Sequence, residues 1–311
     1  FFAMPSLAQD FVGTRARSLG GAYRAIASGN DAIYYNPAGL PQLPRYSPEL
    51  HYLSDFSLGQ QELNVSLVDS KATLVAAGIG YAFEGWDLQN PVISRSHTAT
   101  LALALPVVPG IMNVGAGLKY VNLLDALGAF GAATGGDPLN ILSTDLGILA
   151  MIPGGVHLAA VGYNLIPVKS DALPLSVGLG LAWNLGPFSS LFTGQTTTAG
   201  SYLNPAGVLQ PLSPINGPLR DLTISVDYHY RVDDTERGVL SVGAEYLLMS
   251  FAPLRLGYEN NWALEKQQLC AGVGFIFPTF AMDMAYRQNM DWYSERQLSL
   301  AFKFFFDPYG A

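Results

Sequence analysis

The sequence predicts an all-β protein, a transmembrane antiparallel β-barrel of about 14 strands with a separate N-terminal segment. Composition is the first reason: 50% of the 311 residues are hydrophobic and only 13% are charged, about half the usual charged fraction. The second reason is that large apolar residues alternate with small or polar ones over many short segments. The third is that proline and glycine interrupt the apolar stretches about every ten residues. Together these features indicate a chain that crosses a lipid bilayer with strands.

Composition also excludes several classes of protein. The chain is too apolar to remain disordered, and its one cysteine, Cys270, cannot form an intramolecular disulfide. A net charge of −8 argues against nucleic-acid binding, which needs a basic surface.

Membrane-spanning helices are excluded by the positions of the breaks. The uncharged stretch from Leu146 to Val168 is long enough for a spanning helix, but Pro153, Gly154 and Gly155 interrupt its middle. The remaining pieces have about ten residues, the length of a tilted strand that crosses a bilayer.

A period of two runs through the candidate strands. Leu179, Leu181 and Trp183 alternate with Gly178, Gly180 and Ala182, which places large apolar residues on one face and small ones on the other. The same alternation recurs at 222–231 and 298–306. A soluble sandwich would need many more lysines and glutamates on its second face. Large apolar residues outside and small or polar residues inside are typical of a transmembrane barrel, and Met282, Met284 and Tyr286 are accordingly predicted to face lipid.

Counting the alternating segments gives 14 strands, an even number that closes without an exposed edge. The predicted strands are 49–58, 60–69, 71–83, 93–105, 111–124, 142–152, 155–163, 174–185, 220–231, 237–249, 253–260, 265–277, 279–288 and 295–306. Proline-rich connections such as 106–110, 153–155, 250–253 and 278–279 are tight, and the connections between them are longer or more polar. Because outer-membrane barrels have short periplasmic turns, we expect the proline-rich turns on the periplasmic side.

One connection, residues 186–219, is long and carries no charge. By the alternation of sides it lies with the short periplasmic turns. Two interpretations stay open: a hairpin within the segment, or a folded periplasmic insert that contacts a partner or plugs the barrel.

Residues 1–45 do not alternate and form a separate N-terminal segment, followed by the barrel at 46–311. The segment contains Gly20-Gly21 and, after a short stretch, Asn36-Pro37-Ala38-Gly39. It closely resembles the N-terminal hatch of the FadL-type outer-membrane transporters, an opening that PorV-like barrels of secretion systems share. The resemblance covers the whole chain in architecture and about 30 residues in motif. It implies a 14-stranded barrel plugged by the hatch, through which hydrophobic compounds enter and then leave sideways through the wall.

The inward faces differ between the two halves of the chain. In the first half they carry small residues, namely Ala76, Gly78, Gly80, Gly115, Gly117, Gly178 and Gly180. These provide space for the hatch or a thin wall, or they relieve crowding on bent strands. In the second half the same parity turns nine ionisable residues inward: Asp227, His229, Arg231, Glu245, Arg255, Glu259, Asp283, Arg287 and Lys303. We expect these to pair with one another and to anchor the hatch through Arg15, Arg17 and Asp31; a polar track for a substrate is the alternative.

Catalysis is not predicted. The four histidines have no metal-ligand spacing, no Gly-x-Ser-x-Gly motif occurs, and no cofactor or metal site is expected. Cys270 is predicted to be a buried, inert thiol that faces inward. Aromatic residues near strand ends, among them Tyr81, Phe83, Tyr120, Trp183 and Tyr230, fit an interfacial girdle.

Two functions follow as hypotheses. The first is a bacterial outer-membrane channel for passive uptake of hydrophobic or amphipathic small molecules, with a hydrophobic ligand, detergent or lipid in the lumen. The second is a non-transporting PorV-like barrel that binds protein partners of a secretion or envelope machine through 186–219. In both, we expect a chain that was exported with its signal peptide removed and that sits in the lipid bilayer.

Overall fold

The strands form one closed antiparallel barrel in a computed structural model of the chain. It describes residues 12–56, 59–86, 94–125, 138–166, 173–185, 201–203, 209–211, 222–232, 234–248, 251–262, 264–291 and 295–306. The barrel strands are β1 (Tyr46–Asp55), β2 (Gln60–Asp69), β3 (Ala76–Trp86), β4 (Ser94–Val108), β5 (Met112–Asp125), β6 (Leu139–Ile152), β7 (Val156–Tyr163), β8 (Ser176–Asn184), β11 (Leu222–Arg231), β12 (Asp234–Leu248), β13 (Ala252–Asn261), β14 (Lys266–Ile276), β15 (Phe280–Asn289) and β16 (Arg296–Phe304). The prediction of a 14-stranded antiparallel barrel is therefore confirmed.

Each barrel strand pairs with its neighbours in the sequence, except that β8 pairs with β11 and β1 closes the sheet against β16. Between β8 and β11, the strands β9 (Ser201–Leu203) and β10 (Leu209–Pro211) pair with each other in a separate two-stranded sheet. The segment 186–219 thus contains a hairpin that is not part of the barrel. Its remaining residues lie outside the described part of the chain.

Several strand boundaries differ from the prediction by up to five residues, and two of the differences have local reasons. We predicted a strand from 71, but β3 begins at Ala76, because the Asp69 carboxylate accepts the backbone N–H groups of Lys71 and Ala72 and folds a turn there. Conversely, β4 continues through Pro106 to Val108. The register of β4 against β5 shifts between these two residues, and such an irregularity tolerates proline.

Burial alternates along the strands as the period of two predicts, with apolar residues on the exposed face. In β8, Leu179, Leu181 and Trp183 are exposed, whereas Gly178, Gly180 and Ala182 are not. In β15, Met282, Met284 and Tyr286 are exposed while Asp283 and Arg287 are buried. A soluble protein shows the reverse arrangement, so the outer face of this barrel matches an apolar solvent.

Residues 12–42 form short helices ahead of the barrel. They are α1 (Thr14–Ser18), α2 (Ala32–Tyr35) and three 3-10 turns at Arg24–Ile26, Gly29–Asp31 and Pro37–Gln42. Among the described residues, no helix has the length and apolarity needed to cross a membrane.

The two ends of the barrel differ in the connections that they carry. The end where β1 begins, called here the near end, carries the turns 70–75, 109–111, 153–155, 249–251 and 277–279 together with the segment that contains β9 and β10. The opposite, far end carries the longer or more polar connections between those turns.

Candidate functional site: the N-terminal segment and the inner wall

The N-terminal segment contacts the inward face of the barrel on every side. Helix α1 packs on β13 to β16, the turn at Arg24–Ile26 on β7, β8 and β11, and the turn at Gly29–Asp31 on β1 and β2. The turn at Pro37–Gln42 packs on β3 to β6, and Arg15 reaches β12 through Glu245. Leu19, Ile33 and Leu40 are fully buried between segment and wall. Residues 12–42 therefore lie inside the ring of strands.

The Asn36-Pro37-Ala38-Gly39 motif forms the turn that packs on β5 and β6. The Asn36 side chain caps the turn by accepting the N–H of Ala38 at 3.1 Å and donates to the carbonyl of Arg24 at 3.1 Å. Pro37 occupies the first position, where its missing N–H is not needed. A Cβ on Gly39 would lie 2.2 Å from the carbonyl oxygen of Ala27, so only glycine fits there.

Gly20 and Gly21 form the turn that follows α1. Their φ angles are 65° and 87°, in the left-handed region that favours glycine. A Cβ on Gly20 would also lie 2.8 Å from the backbone of Tyr258 on β13. The pair therefore lets the chain reverse while it is pressed against the wall.

Most glycines of the first-half strands make room for the N-terminal segment. A Cβ on Gly78 would lie 2.7 Å from Ile33, one on Gly115 would lie 2.3 Å from the backbone N of Ala38, and one on Gly178 would lie 2.1 Å from Nε of Arg24. The sequence left three interpretations of these glycines open: space for the segment, a thin wall, or relief of crowding on bent strands. The contacts favour space for the segment at these positions. Gly117 differs, because a Cβ there would meet Pro37 at an ordinary 3.6 Å.

A chain of alternating charges joins the segment to β12, β13, β15, β16 and β1. Arg15 lies 2.5 Å from Glu245, which lies 2.5 Å from Arg255, and Arg255 lies 2.6 Å from Asp283. Lys303 continues the chain at 3.6 Å from both Asp283 and Glu49. These groups are largely buried, so each charge depends on its neighbours for compensation.

Asp227 binds the segment at a second place. Its Oδ2 accepts the backbone N–H groups of Tyr23 at 3.0 Å and Arg24 at 2.8 Å, and it lies 3.2 Å from the Arg24 guanidinium. Arg24 also donates to the hydroxyl of Tyr163 at 2.8 Å. Sequence reasoning named Arg15, Arg17 and Asp31 of this segment but not Arg24, whose partners lie on strands that are far apart in the sequence.

The other residues of the predicted inward set have partners on the wall. Arg287 pairs with Glu259, and His229 contacts the Ser176 hydroxyl at 3.0 Å and the ring of Tyr163. Arg231 ends β11 at the far end, opposite Ser176. Cys270 is buried opposite Arg287.

Arg17 lies apart from the predicted set, whereas Asp31 interacts electrostatically with Lys303 of that set. Arg17 pairs with Glu62 on β2 at 2.9 Å and donates to Gln297 at 3.2 Å. Asp31 is buried beside Gly13, and its carboxylate has no hydrogen-bond partner within the described residues. We expected Arg17 to join the charges of the second half, but it pairs with Glu62 of the first half.

Inward charges also occur in the first half of the barrel, where we had predicted small residues. Glu49 and Glu62 face the segment from β1 and β2, and Lys119 pairs with Asp145 at 3.0 Å between β5 and β6. The sequence contained the pattern that predicts these inward charges. Glu49, Glu62 and Lys119 alternate with the large outward residues Leu50, Leu63 and Tyr120.

Burial in the segment raises the pKa values of the phenols of Tyr23, Tyr34 and Tyr35 above their usual value, because desolvation disfavours the phenolate. Tyr34 accepts a hydrogen bond from Asn64 at 2.6 Å and Tyr23 contacts Ser28. Within the described residues, no cluster of side chains has the composition of a metal site.

These phenols should make the barrel sensitive to alkali. A group whose pKa is raised on folding stabilises the protein below its unfolded pKa, about 10 for tyrosine. The free energy of unfolding should therefore fall as the pH rises above that value. Absorbance at 295 nm during unfolding at several pH values would measure this, and Tyr34→Phe should make the fall shallower. Titration of every tyrosine of the folded protein near pH 10 would contradict it.

The fold and the site define a closed 14-stranded antiparallel barrel with N-terminal residues enclosed by its strands. Solved structures share the barrel fold at low sequence identity. The Ralstonia pickettii toluene transporter TbuX has a TM-score of 0.60 and 15% identity, with 96% of this chain and 100% of that chain covered. The Pseudomonas putida toluene transporter TodX has a TM-score of 0.58 and 14% identity, with 96% and 98% covered. The CymD monoaromatic hydrocarbon channel has a TM-score of 0.54 and 15% identity, with 96% and 97% covered. No family model and no curated protein matches the sequence.

Proposed function

We propose that the protein is a FadL-like outer-membrane channel for passive uptake of hydrophobic or amphipathic small molecules, with residues 1–45 as its hatch. The observation that carries the proposal is an N-terminal segment that touches every strand of a closed barrel whose outer face is apolar. Structures named as toluene transporters and a hydrocarbon channel share the fold, which supports this class of cargo.

Under this proposal the described state is closed. Every neighbouring pair of barrel strands is hydrogen-bonded in the described residues, but β7 pairs only with Leu146–Ile152 of β6. A sideways exit through the paired parts of the wall therefore requires two strands to separate. The hatch contacts every strand of the ring, and we expect passage along the lumen to require the hatch to move. The inward charges then serve to fasten the hatch, and the proline-rich near end faces the periplasm.

A reversible disulfide between hatch and wall tests the proposal. A Cβ on Gly78 would lie 2.7 Å from Cγ1 of Ile33, which brings the two Cβ positions into the range that a disulfide needs. The variant Ile33→Cys/Gly78→Cys is made in a Cys270→Ser background, reconstituted in vesicles with a lipopolysaccharide outer leaflet, and supplied with toluene or a long-chain fatty acid.

The reduced barrel should take up the apolar probe several-fold faster than protein-free vesicles, and oxidation should lower the rate to that background. Dithiothreitol should restore uptake. A single-cysteine variant at Ile33 controls for the substitution, and a polar sugar of similar size controls for leakage. Equal uptake by reduced, oxidised and protein-free vesicles would contradict the proposal.

The second hypothesis, a scaffold for protein partners, rests on segment 186–219. The structure describes only β9 and β10 of that segment, and they supply no contact that favours a partner. It stays a prediction, and deletion of 186–219 followed by partner capture from envelope extracts would test it: an unchanged set of partners would count against it.

A further inference from the structure

Four strands that run toward the far end carry the same outward-facing pattern. A tyrosine stands six positions after the first residue of the strand and an apolar residue stands ten positions after it. The tyrosines, called here the tyrosine belt, are Tyr52, Tyr228, Tyr258 and Tyr286. The apolar residues, called here the tips, are Phe56, Val232, Trp262 and Met290.

The tips are exposed although they follow the ends of the strands. Phe56 is 64% exposed and Trp262 is 44% exposed. They belong to four successive hairpins of the barrel, β1–β2, β11–β12, β13–β14 and β15–β16. Exposed apolar side chains on adjoining hairpins indicate a surface that contacts something apolar.

Strand geometry gives the heights of the tyrosine belt and of the tips above the near end. With a rise of about 3.4 Å per residue and a tilt of about 40°, six residues climb about 16 Å and ten residues climb about 26 Å. The apolar band of an outer-membrane barrel is about 25 Å tall. Measured from the first residues of the strands, the tips match the far boundary of such a band, whereas the tyrosine belt lies well inside it.

The hydrogen bonds of the belt agree with a position among acyl chains, where a polar group must be satisfied. Tyr52 donates to Oε1 of Gln61 at 3.0 Å, Tyr258 to Oε1 of Gln267 at 2.9 Å, and Tyr286 to Oε1 of Gln288 at 2.6 Å. These glutamine oxygens are thereby paired. The side-chain N–H groups of Gln61 and Gln267 have no partner within the described residues, whereas that of Gln288 donates to the carbonyl of Asn289 at 3.2 Å.

We propose that the acyl chains of the outer leaflet reach the tips, and that the amide N–H groups of Gln61 and Gln267 bind ester carbonyl oxygens of those lipids. A glutamine side chain about 5 Å below the boundary can turn its amide up to the level of the esters, as long polar side chains do at membrane interfaces. The tyrosine belt thus forms a lipid-facing polar surface. This inference rests on the membrane position in the proposed function.

Spin labels test the depth. In Cys270→Ser protein, nitroxides are attached at Leu50→Cys, Ser54→Cys and Thr73→Cys, and their collisions with oxygen and with a water-soluble nickel chelate are compared. The label at 54 should collide mainly with oxygen, as the label at 50 does. The label at 73, in a near-end turn, should collide mainly with the water-soluble nickel chelate. A label at 54 that resembles the one at 73 would overturn the inference. If label 50 also reports water, the proposed membrane barrel itself fails. Asn260→Cys with Leu256→Cys repeats the test on β13.

Ester and ether lipids test the hydrogen bonds. The urea midpoint of the native protein should fall when diester phospholipids are replaced by diether analogues of the same chain length, which lack the carbonyl. The double variant Gln61→Leu/Gln267→Leu should lose this dependence, whereas Gln288→Leu should keep it. Each of these variants also frees the hydroxyl of its belt tyrosine, so Gln288→Leu is a matched control. Equal midpoints of the native protein in both lipids would overturn the carbonyl contact.

Discussion

Replacing Gly115 by alanine is expected to push the Asn36–Gly39 turn away from β5. The new Cβ would lie 2.3 Å from the backbone N of Ala38 and 2.4 Å from the backbone C of Pro37, and neither backbone atom can rotate away as a side-chain end could. Overpacking of this kind costs about 1–3 kcal/mol. We expect the free energy of unfolding to fall by that amount and the ionic conductance of the barrel in planar bilayers to rise.

Gly117→Ala is the matched control, on the same face of the same strand two positions away. Its Cβ would meet Pro37 at 3.6 Å, an ordinary contact, so stability and conductance should stay close to those of the native protein. Similar effects of the two alanines would show that glycine relieves strand crowding here and does not make room for the N-terminal segment.

Replacing Glu245 by glutamine should have the largest effect of any single charge change. Glu245 lies between Arg15 of the segment and Arg255 of the wall, 2.5 Å from each, and its loss leaves two buried guanidinium groups without their shared carboxylate. Removing one partner of a buried ion pair costs about 3–5 kcal/mol. Urea unfolding in lipid vesicles would measure the loss, and protease cleavage within α1 would report release of the segment.

Glu295→Gln provides the comparison, because Glu295 pairs with Lys266 at 2.9 Å near the far end and is hydrogen-bonded to Asn289, away from the segment. It should lower stability less and leave α1 protected from protease. Protection of α1 in the Glu245→Gln protein would contradict a fastening role for this carboxylate.

The barrel could be read from the sequence because one physical rule governs all of its strands. A strand between lipid and lumen must alternate, so a run such as Leu179 to Trp183 predicts both its conformation and its exposed face. The same rule turned Asp283 and Arg287 inward, where they are buried. Applied evenly, it would also have turned Glu49 and Lys119 inward. The start of β3 was misplaced because the Asp69 turn depends on side-chain hydrogen bonds that periodicity does not report.

The N-terminal segment was less predictable because it has no period. Its motif predicted a turn at Asn36–Gly39, but not that this turn would press on Gly115. Arg24 gains its partners only when β7 and β11, far apart in the sequence, bring Tyr163 and Asp227 to it. Arg17 meets Glu62 instead of the later charges for the same reason.

The sequence by itself determined that this protein is a barrel with an apolar outer face, because alternation and low charge are local properties of each strand. Only the tertiary structure decided which inward charges meet which residues of the segment and which glycines make room for it. Closure of the barrel sets those contacts, since it fixes the register of all 14 strands around one enclosed volume.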